Sequence, residues 1–399
     1  MEKETNFKPG KVILFSLTHF IHDIYTAFLS PLLPVIIERL NLTFLNAGLL
    51  MPLFRTPSLI QPLVGYYADR GKMLKFLPIS LFSTSLLMSF FATTRSYQLA
   101  CIILFLTGIS AAFYHAPAIY LLSGASGTRY GTGMSFFMTG GELARSLGPL
   151  YIVSIIQFLP GKFIPFASLP GIFSASILLF IIPLKSKYKK KTQDFSFLKV
   201  FKTGGKSLFL LVVISVFHSF TMYSFTLFLP TFMMTLGFKL FIAGSSLAAL
   251  ELSGAFGALI GGTVSDIIGR KRFFFLSSIL IPSFINLFLL SEKLSFKMIF
   301  LFLTGVFMFS IAPVRYAFAM EMVPLFKGTI SSFLMALSFF TTIFASILTG
   351  FLGDHIGFSK TFIIISMIPI LTIPLIIFLP NNRKWQKSQN TSLDNNNSN

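Results

Sequence analysis

The chain of 399 residues is 54% hydrophobic and only 11% charged, with 51 phenylalanines and a mean hydropathy of +0.79. This composition excludes a set of soluble domains and predicts an integral membrane protein. The formal net charge of +19 comes largely from short lysine-containing segments beside apolar runs, which is typical of membrane topology signals and not of a nucleic-acid interface. The single cysteine, Cys101, argues against a disulfide framework and against a thiolate metal site.

Apolar runs long enough to cross a bilayer recur along the whole chain. They predict an all-α polytopic membrane protein with twelve transmembrane helices in two six-helix halves. The first run is too long for a cleaved signal peptide, so we expect the N-terminus not to be translocated. The predicted spans are 11–38, 44–66, 73–94, 97–123, 131–159, 164–184, 207–235, 240–264, 272–291, 296–319, 327–350 and 359–380.

A lysine-rich segment separates the sixth and seventh predicted spans and is typical of a hydrated cytoplasmic linker. It divides the chain into an N-terminal half (1–184), the linker (185–206), a C-terminal half (207–380) and a low-complexity, disordered tail (381–399). Most lysines and arginines fall on the side of the linker, so the positive-inside rule predicts that both termini are cytoplasmic. We expect a multi-pass protein of a bacterial inner membrane.

The first predicted span carries polar side chains along one helix face. The positions of His19, His22, Asp23, Thr26 and Ser30 follow the i, i+3, i+4, i+7, i+11 series, while the other faces are almost entirely apolar. Charged groups are costly in hydrocarbon, so such a face normally lies toward a bundle interior or a water-filled cavity. This polar face is therefore the first candidate for a transport pathway.

The two predicted halves contain an internal repeat. Four separate pairs of spans keep the same register, which chance explains poorly. In the second copy of the polar face the histidine recurs as His218, whereas Asp23 is replaced by Ser219. At an offset of 196 or 197 residues, the matching pairs are His22 and His218, Pro34 and Pro230, Gly65 and Gly262, Asp69 and Asp266, Pro117 and Pro313, Tyr120 and Tyr316, and Gly131 and Gly328.

Two six-span halves joined by a long inner linker resemble the major facilitator superfamily, whose halves rock around a site at the membrane midplane. The loop after the eighth predicted span is similar to the superfamily signature G-x-x-x-D-x-x-G-R-K, and the loop after the second span carries a shorter copy. The glycines allow close helix approach, and the aspartates can cap helix starts, at Gly328 for Asp69 and at Gly131 for Asp266. A simple topological role is the alternative. The predicted inner gate contains Gly65, Asp69, Arg70, Gly262, Asp266, Gly269 and Arg270.

The resemblance implies that spans 1, 4, 7 and 10 line the substrate cavity. Span 5 carries Glu142 and Arg145 at i, i+3, which either neutralise each other or act as a switch. Glu251 can pair with Arg145 if spans 5 and 8 touch, as they do in the superfamily. A buried core histidine is the alternative for His115. The predicted cavity contains His22, Thr26, Arg55, His115, Arg145, His218, Glu251 and Arg315.

Three stretches together resemble the fosmidomycin-resistance group of the superfamily, which are proton-driven exporters of a phosphonate antibiotic. They are His19-x-x-x-Asp23 with Leu32-Leu33-Pro34, the run from Gly108 to Pro117, and the run from Gly140 to Pro149. Tyr114 and Ala116 depart from the group's pattern. The resemblance implies a proton-coupled antiporter that exports a small organic compound, and an uptake symporter is the alternative.

Proton coupling is predicted at Asp23, His19 and Glu142, because a carboxyl group removed from water takes up a proton more readily. We expect no enzymatic activity, no cofactor and no metal. The expected partners are a small-molecule substrate, protons and the lipid bilayer, without nucleic acid, and the protein is expected to act as a monomer.

Overall fold

A computed structural model describes residues 7–68, 73–127, 129–182, 197–323 and 327–380. Within these ranges the regular structure is helical and contains no strand, which confirms the predicted all-α class. Short 3₁₀ segments at Thr56–Ile60, Gly161–Ser168 and Ile368–Thr372 lie between some of the helices. The helices are α1 Pro9–Thr26, α2 Leu29–Leu40, α3 Phe44–Gly48, α4 Leu50–Arg55, α5 Gln61–Ala68, α6 Phe76–Phe91, α7 Tyr97–Ser126, α8 Tyr130–Phe158, α9 Leu169–Ile181, α10 Phe197–Thr235, α11 Leu240–Ile268, α12 Arg270–Leu290, α13 Leu294–Met322, α14 Lys327–Met367 and α15 Ile373–Ile377.

Eight helical segments of the described chain are long and apolar enough to cross a membrane. One of them, Phe333–Ile377, contains most of the last two predicted spans, and Gly357 divides it with a φ of +75° that side-chain-bearing residues rarely adopt. Three of the predicted spans are not among these eight segments. The second is broken into short helices, the third has 16 helical residues, and the charges of Glu142 and Arg145 lower the hydropathy of α8.

Apolar side chains cover much of the molecular surface. Phe180, Leu290 and Ile267 are each more than three-quarters exposed. Large exposed apolar surfaces are unfavourable in water but are the natural outer surface of a protein in lipid. The exposed side chains therefore agree with a multi-pass membrane protein.

The chain forms two compact units. The first comprises the described parts of Met1–Gln193 together with Thr226–Leu252 and Ser346–His355. Its apolar core joins α1, α6, α7, α8 and α9 through Phe15, Leu81, Tyr114, Phe137 and Leu178. The second unit comprises the described parts of Asp194–Phe225, Ser253–Ala345 and Ile356–Asn399. The predicted boundaries of the two halves stay a prediction.

Small residues let α8 lie directly against α1 in the first unit. A Cβ atom on Gly140 would lie 2.6 Å from the carbonyl oxygen of Ser16, and one on Gly148 would lie 2.8 Å from that of Ile24. These distances are shorter than ordinary contacts, so only glycine fits without movement of the backbone. Close approach of these two helices brings α8 against the polar face of α1.

Segments far apart in sequence also meet within the first unit. The Asp354 carboxylate accepts hydrogen bonds from the backbone amides of Phe44, at 2.7 Å, and of Leu45, at 2.8 Å. These amides start α3, where the helix leaves its first N–H groups unpaired. Ser30 donates to the carbonyl oxygens of Thr226 and Leu227 at 2.7 and 2.8 Å. Polar contacts therefore join α2 and α3 to the parts of α10 and α14 in this unit.

Candidate functional site

Three histidines surround one carboxylate in the core of the first unit. Helix α1 supplies His19, His22 and Asp23, and α7 supplies His115. His22 Nδ1 lies 2.8 Å from Asp23 Oδ1, His19 Nε2 lies 3.2 Å from Asp23 Oδ2, and His115 Nε2 lies 3.8 Å from Asp23 Oδ1. Asp23 is buried and His22 is completely buried. We call these four residues the Asp23 cluster.

The contacts of His19 fix how many protons it shares with Asp23. Its Nδ1 lies 2.7 Å from the carbonyl oxygen of Phe137, which can only accept, so Nδ1 carries a hydrogen. A neutral ring then has no hydrogen on Nε2, and an ionised Asp23 has none on Oδ2. The 3.2 Å contact between these atoms therefore requires one additional proton, carried either by the imidazole or by the carboxyl group.

Aromatic rings hold both histidines of α1 in place. The His22 ring stacks on Tyr114 with centroids 3.9 Å apart, and the His19 ring stacks on Phe137 at 3.8 Å. Thr84 Oγ1 lies 3.4 Å from His22 Nε2 and hydrogen-bonds Ser110. His22, which the sequence assigned to the substrate cavity, is therefore enclosed beside Asp23, together with the residues predicted to couple protons.

Gly141 of α8 forms the wall of the cluster. A Cβ atom at this position would lie 2.7 Å from His19 Cε1 and 3.3 Å from Asp23 Oδ2. The sequence identified Gly141 only within the run from Gly140 to Pro149 and did not connect it, Tyr114, Phe137 or Thr84 with the histidines. The signals that the sequence offered for these contacts were the adjacent glycines Gly140 and Gly141 in span 5 and Tyr114 before His115.

A second charged group lies on α8 and α11. Arg145 contacts the Glu142 carboxylate on the same helix, and its Nε lies 3.8 Å from Glu251 Oε2. Both pairings agree with the sequence interpretation. Arg145 is also close enough to Asp23 for their charges to interact. One guanidinium therefore stands between two acidic side chains and the Asp23 cluster.

The second unit contains a polar cluster of different composition around Arg315 of α13. Arg315 Nη1 donates to Ser219 Oγ at 2.6 Å, and Nη2 donates to Ser338 Oγ at 2.8 Å. The guanidinium carbon lies 5.2 Å from the centre of the Tyr316 ring. His218 Nε2 lies 3.0 Å from Ser278 Oγ. We call His218, Ser219, Arg315 and Ser338 the Arg315 cluster.

The other predicted residues lie at several separate positions. Thr26 donates to the backbone carbonyl of Asp23 at 3.0 Å, and the Arg55 guanidinium carbon lies 5.0 Å from the centre of the Phe54 ring. In the predicted inner gate, Arg270 contacts Asp266 and, at 3.0 Å, Glu321. Gly269 has a φ of +96° and ends α11.

The first copy of the predicted gate is described only in part. A Cβ atom on Gly65 would lie 3.9 Å from Ala116 Cβ, and one on Gly262 would meet nothing within 4 Å. Asp69 and Arg70 lie outside the described residues. The gating role of the whole set stays a prediction.

His19, Asp23 and His115 also present three potential metal-binding atoms within 4.8 Å of one another. In the described structure these atoms contact each other, since His19 and Asp23 face each other directly. Such contacts account for the arrangement without an ion, and the predicted absence of metal stays a prediction.

Comparison with known sequences matches residues 15–291 and 248–396 to the profile of the Major Facilitator Superfamily. The chain is 27% identical over 377 residues to the fosmidomycin resistance protein of Escherichia coli (strain K12), covering 92% of each chain. It is also 27% identical over 412 residues to an uncharacterized MFS-type transporter, YfnC, of Bacillus subtilis (strain 168), covering 97% of this chain and 98% of that one.

Solved structures with a similar fold include a bacterial homolog of the human lysosomal transporter Spinster in an inward-facing, unoccupied conformation. The TM-score is 0.77 at 14% identity, and the match covers 97% of this chain and 99% of that one. The occupied form matches with a TM-score of 0.79, also at 14% identity, over 93% and 96% of the chains. At this identity the likeness concerns the fold alone.

Proposed function

Because the chain belongs to the Major Facilitator Superfamily, we propose that it is a secondary active transporter that exports a small organic compound in exchange for protons. The superfamily match indicates transport and no catalytic family. The resistance protein of Escherichia coli supports export, since a transporter confers resistance by removing the compound from the cell. The protein acts by alternating access, as a monomer in a bacterial inner membrane with both termini cytoplasmic.

The extra proton required by His19 and Asp23 carries this proposal. With the proton present, the two side chains form a hydrogen bond and their combined charge is zero. Without it, the Nε2 lone pair faces the carboxylate at 3.2 Å, and the two groups repel each other in a poorly solvated site. Loss of the proton therefore changes the preferred geometry of α1 against α8, which is what coupling to a conformational change needs.

Neighbouring charges compete for the same carboxylate. His22 donates from Nδ1 to Asp23 Oδ1, and His115 approaches that oxygen more distantly. Arg145 interacts electrostatically with Asp23 while Glu142 and Glu251 hold it. When Asp23 loses its shared proton, the attraction of Arg145 toward it increases. Glu142 then competes with Asp23 for the arginine, which gives it the second coupling role.

Flux in proteoliposomes with an imposed pH gradient tests this proposal, with fosmidomycin as the first compound because of the relative's name. The decisive variant is Asp23→Asn, since an asparagine amide can donate to His19 Nε2 and imitates the protonated pair. We expect this variant to lose proton-driven transport but to keep exchange of labelled for unlabelled compound. Glu292→Gln, at an exposed position, is the control and keeps both activities.

Two results would overturn the proposal. Full proton-driven transport by Asp23→Asn would remove the coupling role of the pair. Accumulation of the compound on the side toward which protons flow would identify a symporter and would exclude export by exchange.

A further inference from the structure

We propose that the Arg315 cluster binds the oxyanion group of the transported compound, a phosphonate or a carboxylate. This inference rests on the proposed transport function and adds to it the residues that bind the anionic group of the substrate. It also assigns recognition to the second unit, whereas proton coupling is assigned to the first.

Arg315 is buried but its hydrogen bonds are incomplete. Its side chain has 5% relative exposure, and Nη1 and Nη2 each donate to a serine hydroxyl. Within the described chain, Nε has no hydrogen-bond partner. A buried donor without a partner is costly, especially on a charged group. A ligand oxygen that accepts from Nε would remove that cost.

Arg315 also has no counter-ion among the described residues. Among the described residues no carboxylate lies within ion-pair distance of its guanidinium, whereas Arg145 has two acidic neighbours. The described acidic residues of the second unit are Asp266, Glu292 and Glu321. Asp266 and Glu321 contact Arg270, and Glu292 is exposed between α12 and α13. A buried cation without a counter-ion favours an anionic ligand.

His218 provides a second unpartnered atom in the same cluster. It is adjacent in sequence to Ser219, whose hydroxyl accepts from Arg315 Nη1. His218 Nδ1 is buried and has no partner among the described residues. Ser278 Oγ donates its hydrogen to the carbonyl oxygen of Phe274 at 2.8 Å, so His218 Nε2 donates to Ser278 and the neutral ring leaves Nδ1 as an acceptor. Nδ1 can accept from a hydroxyl group of the ligand, such as the P–OH of a singly ionised phosphonate, and the planar guanidinium suits the ionised oxygens of a phosphonate or a carboxylate.

The internal repeat relates the Arg315 cluster to the Asp23 cluster. Ser219 corresponds to Asp23 and Arg315 corresponds to Ile119, both at an offset of 196 residues. The second half therefore has a serine where the first half has a carboxylate, and a cation where the first half has an apolar side chain. A substrate oxyanion would occupy the electrostatic role that Asp23 has in the first half.

Binding to the purified full-length protein, measured by calorimetry, tests the inference without requiring transport. The probes share one ring and differ in charge: phenylphosphonate, benzoate and neutral benzamide. We expect the anions to bind and benzamide not to bind, and preference between the two anions distinguishes a phosphonate site from a carboxylate site. Arg315→Gln should weaken anion binding at least about tenfold. Arg95→Gln, at an exposed arginine, is the control and keeps wild-type affinity.

A second pair of variants keeps the test informative if Arg315→Gln fails to fold. Ser219→Asp restores the carboxylate of the first half beside Arg315, and it should raise the melting temperature while abolishing anion binding. Ser219→Asn has a similar size without the charge and should keep measurable binding. Equal affinity of Ser219→Asp and Ser219→Asn for phenylphosphonate would overturn the inference, as would tight binding of benzamide.

The outcome separates this inference from the proposed transport function. If proton-driven flux occurs but anion binding is unaffected by Ser219→Asp, the anion site is wrong and antiport stands. If the anions bind through Arg315 but no flux responds to a pH gradient, proton-coupled export is wrong and the anion site stands.

Discussion

The Asp23 cluster and the Arg315 cluster are built on corresponding parts of a repeated sequence, yet their central side chains have opposite charge. In the first, histidines converge on a buried carboxylate. In the second, serines surround a buried guanidinium and one histidine keeps an unpartnered nitrogen. The first cluster contains its own counter-charges, whereas no described residue supplies a counter-charge to Arg315 in the second. Under the proposed function, the first half exchanges a proton and the second half binds the anion.

The largest effect is expected from a variant that removes the difference between Asp23 and its counterpart Ser219. Asp23→Ser gives the first half the residue of the second half and leaves His19 and His22 without their carboxylate. We expect proton-driven flux to fall to the level of protein-free liposomes, while calorimetric binding of phenylphosphonate persists. Loss of both activities together, in a variant that keeps its melting temperature, would contradict the division of roles between the clusters.

Gly141→Ala perturbs the first cluster without changing any charge. The added Cβ would lie 2.7 Å from His19 Cε1, so the ring must move, and overpacking of this kind costs about 1–3 kcal/mol. We expect slower proton-driven flux and a lower melting temperature, with anion binding unchanged.

Gly124→Ala is the matched control for this variant, because a Cβ on this helical glycine meets nothing within 4 Å. It should be neutral or stabilising by up to about 1 kcal/mol. Similar flux defects in the two variants would mean that the wall against His19 has no special role.

Glu251→Gln tests whether Arg145 is shared between acidic residues. Arg145 keeps its contact with Glu142, and the longer 3.8 Å contact with Glu251 is weakened. We expect a smaller change than for Asp23→Ser, seen as a shift in the pH dependence of flux with little loss of maximal rate. An unaltered pH profile would limit the relevant network to Asp23, Arg145 and Glu142.

Asp354→Ala gives a baseline outside both clusters. It removes the carboxylate that accepts hydrogen bonds from the first two amides of α3, which we expect to cost about 1–2 kcal/mol. Thr43→Ala removes a single local cap, at 3.1 Å from the Asn46 amide, and should cost less. Melting temperatures of the two variants measure the difference, and equal values would argue against a stabilising role for the Asp354 contact.

Periodicity explains which features of the first cluster could be predicted from the sequence. His19, His22 and Asp23 lie on one helix face, so their neighbourhood follows from helix geometry alone. The pairing of Arg145 with Glu142 follows from their i, i+3 spacing. The contact with Glu251 required the additional expectation that spans 5 and 8 meet, which came from the family resemblance.

Tertiary contacts carry no comparable signal in a single sequence. The stacking of Tyr114 on His22, and of Phe137 on His19, depends on how α7 and α8 turn their faces toward α1. The role of Gly141 depends on the distance between two helix axes. The all-α fold was predictable from hydropathy. The second predicted span, however, is divided by proline- and glycine-containing breaks into short helices, and none of these is long enough to be identified as a membrane span by length and composition.

The bond between Asp354 and α3 also has a consequence for biosynthesis. Phe44 and Asp354 are separated by 310 residues, so a growing chain contains the start of α3 long before its acidic partner is made. Until then the Phe44 and Leu45 amides lack this acceptor, while Thr43 can already cap the Asn46 amide. The bond with Asp354 can therefore form only after most of the protein has been translated.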